Sequence, residues 1–130
     1  MKKLFLVTQL FLLLIVGTLN SCKKSASKET TVTIVVKDNL GKVLPNWTVY
    51  QISDTKYNLY GADDFFKDQQ SVTATDGVAT LKIDKLDFAT GGQRTYYFFA
   101  NYSISGVNKS KTVGITLSEG DSKSGTLILN

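Results

Sequence analysis

The chain has 130 residues, a formal net charge of +4, one cysteine and no histidine, which excludes histidine–cysteine zinc sites, Ser-His-Asp triads and Cys-His dyads. The charge is an N-terminal feature: Lys2, Lys3, Lys23, Lys24 and Lys28 precede Thr30 against Glu29 alone, and from Thr30 onward ten basic residues meet ten acidic ones. A neutral remainder lacks the basic face or stripe of a nucleic-acid binder, so no nucleic-acid partner is expected.

Met1-Lys2-Lys3 opens the chain, and residues 4–16 are apolar apart from Thr8 and Gln9. As a helix this run spans about 20 Å, short of the ~20 residues that a bilayer core needs. A charged start, a short apolar centre and small residues after it describe a secretory signal. Leu19-Asn20-Ser21-Cys22 then resembles the lipobox of bacterial lipoproteins: leucine, a variable residue, a small residue and the cysteine. The resemblance implies a diacylglycerol on the Cys22 thiol, cleavage before it and acylation of the new amine. Each buried methylene contributes about 0.8 kcal/mol, so two or three chains hold a protein on a membrane. The implied organisation is a signal peptide over 1–21, a lipidated flexible tether over 22–30 and a folded domain over 31–130. It implies a membrane partner through the lipid anchor. The implied location is the bacterial cell envelope at the outer membrane, periplasm-facing or surface-exposed. Lys23 stands where some bacteria place the aspartate that retains lipoproteins in the inner membrane. The tether has no large apolar residue, and eight residues reach at most ~28 Å.

Residues 31–37 alternate threonine with β-branched apolar residues, which predicts a strand. Asp38-Asn39-Leu40-Gly41 supplies turn chemistry, and Pro45 sits just before a second strand over 47–53. In that strand Trp47, Val49 and Gln51 share one face, and Thr48, Tyr50 and Ile52 the other. Residues 54–70 are the least regular, with room for a short strand or helical turn. Residues 71–75 and 78–83 read as strands joined in a hairpin at Asp76-Gly77. Residues 84–94 form a loop from which Leu86 and Phe88 are expected to tuck inward. The apolar run 95–103 predicts a central strand, 105–108 a turn, and 111–117 with 125–129 a closing pair joined through Glu119-Gly120-Asp121. Seven or eight short strands with regular turns and no long helix predict an all-β fold, an antiparallel β-sandwich.

Val32-Thr-Ile-Val-Val-Lys-Asp38-Asn-Leu-Gly41, the apolar-proline step Leu44-Pro45, the strand through Val49, and Thr75-Asp76-Gly77-Val78 together resemble the carboxypeptidase regulatory-like or transthyretin-like sandwich modules. That family is mostly non-catalytic, and its modules pack beside enzymes, pili, adhesins or outer-membrane receptors. The resemblance implies an immunoglobulin-like or prealbumin-like form of the β-sandwich and a non-catalytic binding or assembly module for an envelope protein or other envelope partner.

Two residue sets bear on ligands. Trp47, Tyr50, Tyr57 and Tyr60 fall on or near one connection, and exposed aromatic rings stack on sugar faces, so a carbohydrate-binding module is the alternative function. Asp63, Asp64 and Asp68 lie in an acidic-aromatic loop whose carboxylates and carbonyls could hold calcium, although their spacing is not that of a calcium-binding helix-loop-helix. No other cofactor is expected. The same carboxylates would nominally serve acid-pair hydrolysis, which needs two acids ~5–10 Å apart in a cleft, but a small lone sandwich argues against an enzyme.

Overall fold

The computed structural model describes residues 27–130; the expected signal peptide, Cys22 and most of the expected tether lie outside the described residues. Strand-forming patterns become β1 (Thr30–Asp38), β2 (Thr48–Ser53), β3 (Gln69–Val72), β4 (Val78–Ile83), β5 (Arg94–Ile104), β6 (Val107–Leu117) and β7 (Ser122–Leu129). They build two sheets, a three-stranded one in the order β4-β1-β7 and a four-stranded one in the order β3-β2-β5-β6. The expected sandwich is formed, with β5 central as its apolar run predicts. Strand pairs are antiparallel except β1 with β7, which run parallel from Thr31↔Ser122 to Asp38↔Leu129.

Period-two alternation decides the core. Val32, Ile34 and Val36 of β1 face Val49, Phe98, Ala100 and Leu117 of the other sheet, with Leu81 and Leu127 beside them. Full burial of each such side chain contributes about 1.5–3 kcal/mol. Gly125 on β7 lets the sheets approach: a Cβ there would lie 3.1 Å from Ile115 Cδ1 and 3.3 Å from Ile34 Cδ1.

The irregular region 54–70 resolves into a helix, α1 (Asp54–Tyr60), a 3-10 turn at Asp64–Phe66, and β3. β3 is the edge strand of the four-stranded sheet; α1 and the 3-10 turn lie against that sheet's outer face, where Tyr50, Ile52, Tyr97 and Phe99 share one face by register. Ile52 and Phe99 are fully buried there, apart from the inter-sheet core. Tyr57 of α1 stacks on Tyr97, with ring centroids 3.9 Å apart and planes within 14°. Gly114 is the cross-strand partner of Tyr97, and a Cβ on it would come 3.0 Å from the Tyr97 ring. The glycine is what allows that ring to lie across β6.

Three expectations need correction. Asp76-Gly77 turns the chain, with Gly77 N–H bonded to Ala74 O at 2.9 Å, but it does not join a hairpin: β3 pairs with β2 and β4 with β1. The cause is Thr73, whose buried hydroxyl accepts from Trp47 N–H and donates to Leu44 O, holding the end of β3 to its own sheet. Likewise 118–121 carries the chain from β6 across to β7 in the other sheet, where Gly120 N–H caps on Thr30 Oγ1 at 2.8 Å. A strand parallel to β1 requires such a crossover in place of a hairpin. Finally, Asp84 caps a 3-10 turn at Lys85–Phe88 that buries Phe88 but leaves Leu86 71% exposed. Among the described residues no helix is long and apolar enough to cross a membrane.

Candidate binding groove

The sandwich has two different ends. At one, Thr30, Leu117 and Ser122 lie together, and the chain enters from residue 27. At the other, the Pro45–Trp47 corner, the end of α1 and the β5–β6 turn converge around an open groove of about 900 Å³. One wall is Tyr60, Ala62, Asp63 and Asp64; Trp47 and Tyr102 contribute aromatic surface; the facing wall is Asn101, Ser103, Asn108, Lys109 and Ser110.

Each part is placed by local chemistry. Asn46 takes a positive φ of 60°, a conformation asparagine tolerates, and its N–H bonds to Thr73 O. Trp47 N–H then donates to Thr73 Oγ1 at 2.8 Å while Trp47 O accepts from Thr73 N–H, so the corner is clamped and the indole packs half-buried against the core. Tyr60 ends α1 and is 49% exposed; its ring stacks on Phe66 at 3.8 Å, with planes within 10°. Phe66 is held in turn by Phe65 edge-on at 5.1 Å. Asp63 Oδ1 accepts from Phe65 N–H, and Lys67 Nζ donates to Asp64 O, which close the loop on itself.

The third part is a projecting hairpin. β2 pairs with β5 only from Tyr50↔Phe99 to Ser53↔Tyr96, whereas β5 pairs with β6 out to Ile104↔Val107. Beyond Phe99 the β5–β6 ribbon therefore runs without pairing to β2. It closes on Ser105 and Gly106, both at positive φ (52° and 77°), the geometry of a two-residue hairpin turn. Ser110 Oγ donates to Asn101 Oδ1 at 2.6 Å, which leaves the Asn101 amide nitrogen to face the groove.

The four aromatic candidates thus separate. Trp47 and Tyr60 line the groove. Tyr57 is spent on Tyr97, and Tyr50 lies against Phe99, at 5.3 Å between centroids, with Lys67 Nζ 5.8 Å above its ring. Burial, and then the neighbouring Asp64 carboxylate, push the Tyr50 hydroxyl's pKa up. Of the three aspartates, Asp63 and Asp64 are on one groove wall. Asp68 is at the other end of the loop, paired with Lys56 and accepting from Ser53 N–H at 2.6 Å. No group of three acidic, histidine or cysteine side chains that could hold a metal occurs among the described residues. Asn101, Tyr102, Ser103, Asn108, Lys109 and Ser110 are additions to the predicted set. Their signal is the alternation after Ala100: Asn101 and Ser103 are polar between Tyr102 and Ile104, so the face of β5 that carries Tyr97 and Phe99 turns polar while Tyr102 still packs on the core.

A second cavity of about 350 Å³ near the entry end is lined by Gln51, Ser53, Asp68, Asp87, Arg94 and Tyr96. Its polar groups are committed to one another. Tyr96 Oη donates to Asp87 Oδ2 at 2.8 Å, Arg94 Nε donates to Asp87 O, and Gln69 bonds both Gln51 and Lys82 O. Burial, then the Asp87 contact, raise the Tyr96 hydroxyl's pKa. This network closes the end of the core.

No family model matches the chain, and no curated protein does. Among solved structures, the dioxygenase domain of a dioxygenase–carbohydrate-binding protein fusion from the cellulolytic bacterium Streptomyces sp. SirexAA-E superposes with a TM-score of 0.47. Identity is 14%, over 84% of each chain. That likeness assigns neither chemistry nor ligand to this chain.

Proposed function

We propose that this chain is a non-catalytic binding module of a bacterial envelope, anchored through lipid on Cys22, that engages its partner through the groove at the end remote from Thr30. The observation that carries the reading is the groove itself, whose walls are fixed by the Thr73 clamp and the Tyr60–Phe66 stack before any ligand arrives. Preorganised walls lower the ordering cost of binding. The anchor supports the same reading, since a tether leading to the opposite end leaves the groove facing away from the attachment. The lining argues against catalysis: its two carboxylates, Asp63 and Asp64, are consecutive residues of one loop, so no acid pair spans the groove. The carboxypeptidase regulatory-like resemblance of the sequence supports the same reading, since that family is mostly non-catalytic.

The test is co-sedimentation of the mature chain carrying Cys22→Ala with isolated envelope fragments. Saturable pelleting that Tyr60→Ala and Asn108→Ala abolish, and Leu86→Ala leaves intact, is the expected result. Pelleting indifferent to the groove substitutions would remove the proposal. The anchor is tested separately, by the mass of the mature protein and its loss from membranes on Cys22→Ala.

A further inference from the structure

We infer that the groove's ligand is a neutral carbohydrate chain, stacked on Tyr60 and Trp47 and hydrogen-bonded by the Asn101–Ser110 wall; this rests on the groove being the binding surface. A sugar ring offers an apolar C–H face and a rim of hydroxyls that donate and accept, and the groove presents the complement of both. One face of the Tyr60 ring is covered by Phe66 at 3.8 Å, so its half-exposed remainder offers the other face in a fixed orientation. Trp47 adds a second aromatic surface, half-buried and clamped through its backbone. Tyrosine and tryptophan give large contact area at low entropic cost and keep a polar tip for hydrogen bonding.

Beside its aromatic rings the groove is polar without a dominant charge. Asn101 has one amide oxygen bonded to Ser110 and its nitrogen free to donate. Asp63 has Oδ1 committed to Phe65 N–H and Oδ2 free to accept. Lys109 is the one cation among the lining residues. A polyanion meets Asp63 and Asp64, a polycation meets Lys109, and a neutral polyol satisfies both kinds of group. The groove is open and about 900 Å³, near the top of the ~300–1,000 Å³ range of small-ligand sites, which suits several linked units over a single ring. The competing occupant is an extended peptide beside the unpaired β2-facing edge of β5 past Phe99. Such an edge binds through backbone and is indifferent to the ring at Tyr60, so the same experiment separates the two.

The mature chain carrying Cys22→Ala is titrated with linear hexasaccharides, β-1,4-linked (gluco, xylo, manno, N-acetylglucosamine) and α-linked (gluco, manno), and with a hexapeptide of alternating threonine and valine. Fluorescence of Trp47, the chain's one tryptophan, and the side-chain amide signals of Asn101 and Asn108 are followed. At least one hexasaccharide is expected to saturate both signals below about 10 mM. Tyr60→Ala should weaken it about tenfold or more, Phe66→Leu a few-fold by freeing the Tyr60 ring, and Leu86→Ala not at all. Asn108→Ala, on the separate hairpin, repeats the test where Tyr60→Ala disturbs α1. Failure of every hexasaccharide to saturate overturns the inference, as does saturation by the peptide with Tyr60→Ala unchanged. If groove-dependent pelleting with envelopes persists in either case, the binding module stands and only the ligand class falls.

Discussion

The two faces of the four-stranded sheet are covered in different ways. The inner face meets another sheet, with Val49, Phe98 and Leu117 packed against Val32, Ile34 and Val36. The outer face meets α1 and the loop after it, aromatic ring on aromatic ring, with Tyr57 on Tyr97 and Ile52 and Phe99 sealed beneath. A helix of seven residues is far too short to hold alone. It persists because its rings have rings to lie on. The inner face therefore decides whether the chain folds, and the outer face decides where one wall of the groove stands.

The largest effect belongs to the inner face. Phe98→Ala empties a fully buried site and should cost about 3–5 kcal/mol, seen as a large fall in the urea midpoint. A loss confined to α1 would contradict the division. On the outer face, Gly114→Val drives a side chain into the Tyr97 ring, which already lies 3.0 Å from where a Cβ would be. It should cost about 1–3 kcal/mol and speed hydrogen exchange in α1, while β1 amides keep their protection. Equal loss in β1 and α1 would show that the two layers are one.

The smallest effect sharpens the inner face at its polar end. The Tyr96 hydroxyl has its pKa raised by burial and by Asp87, so the folded state keeps a proton that the unfolded chain releases above pH ~10. The stability it contributes is present below that pH and is lost as pH climbs toward the folded pKa. Tyr96→Phe should lower stability at neutral pH by about 0.5–1.5 kcal/mol for the lost hydrogen bond. It should also flatten the alkaline decline, leaving the share due to Tyr50. An unchanged alkaline slope in the variant would refute the assignment.

Strands were legible because alternation is local. Val32, Ile34 and Val36 announce a buried face without reference to the rest of the chain. Pairing was not. Asp76-Gly77 and Glu119-Gly120-Asp121 carry reversal chemistry, but reversal within a sheet and reversal between sheets use the same residues. What separates them is Thr73, a single buried hydroxyl 26 residues from Trp47. The candidate site was legible by half for the same reason. Aromatic residues can be counted in a sequence, but whether a ring is spent on another ring depends on register, and Gly114 opposite Tyr97 decides it for Tyr57.

The most direct test of the account is hydrogen exchange of the mature chain carrying Cys22→Ala, with and without saturating envelope fragments. The account predicts slowed exchange at residues 60–64 and 101–110 and no change at residues 28–30 and 118–121. Protection at the Thr30 end with none along the groove would contradict it.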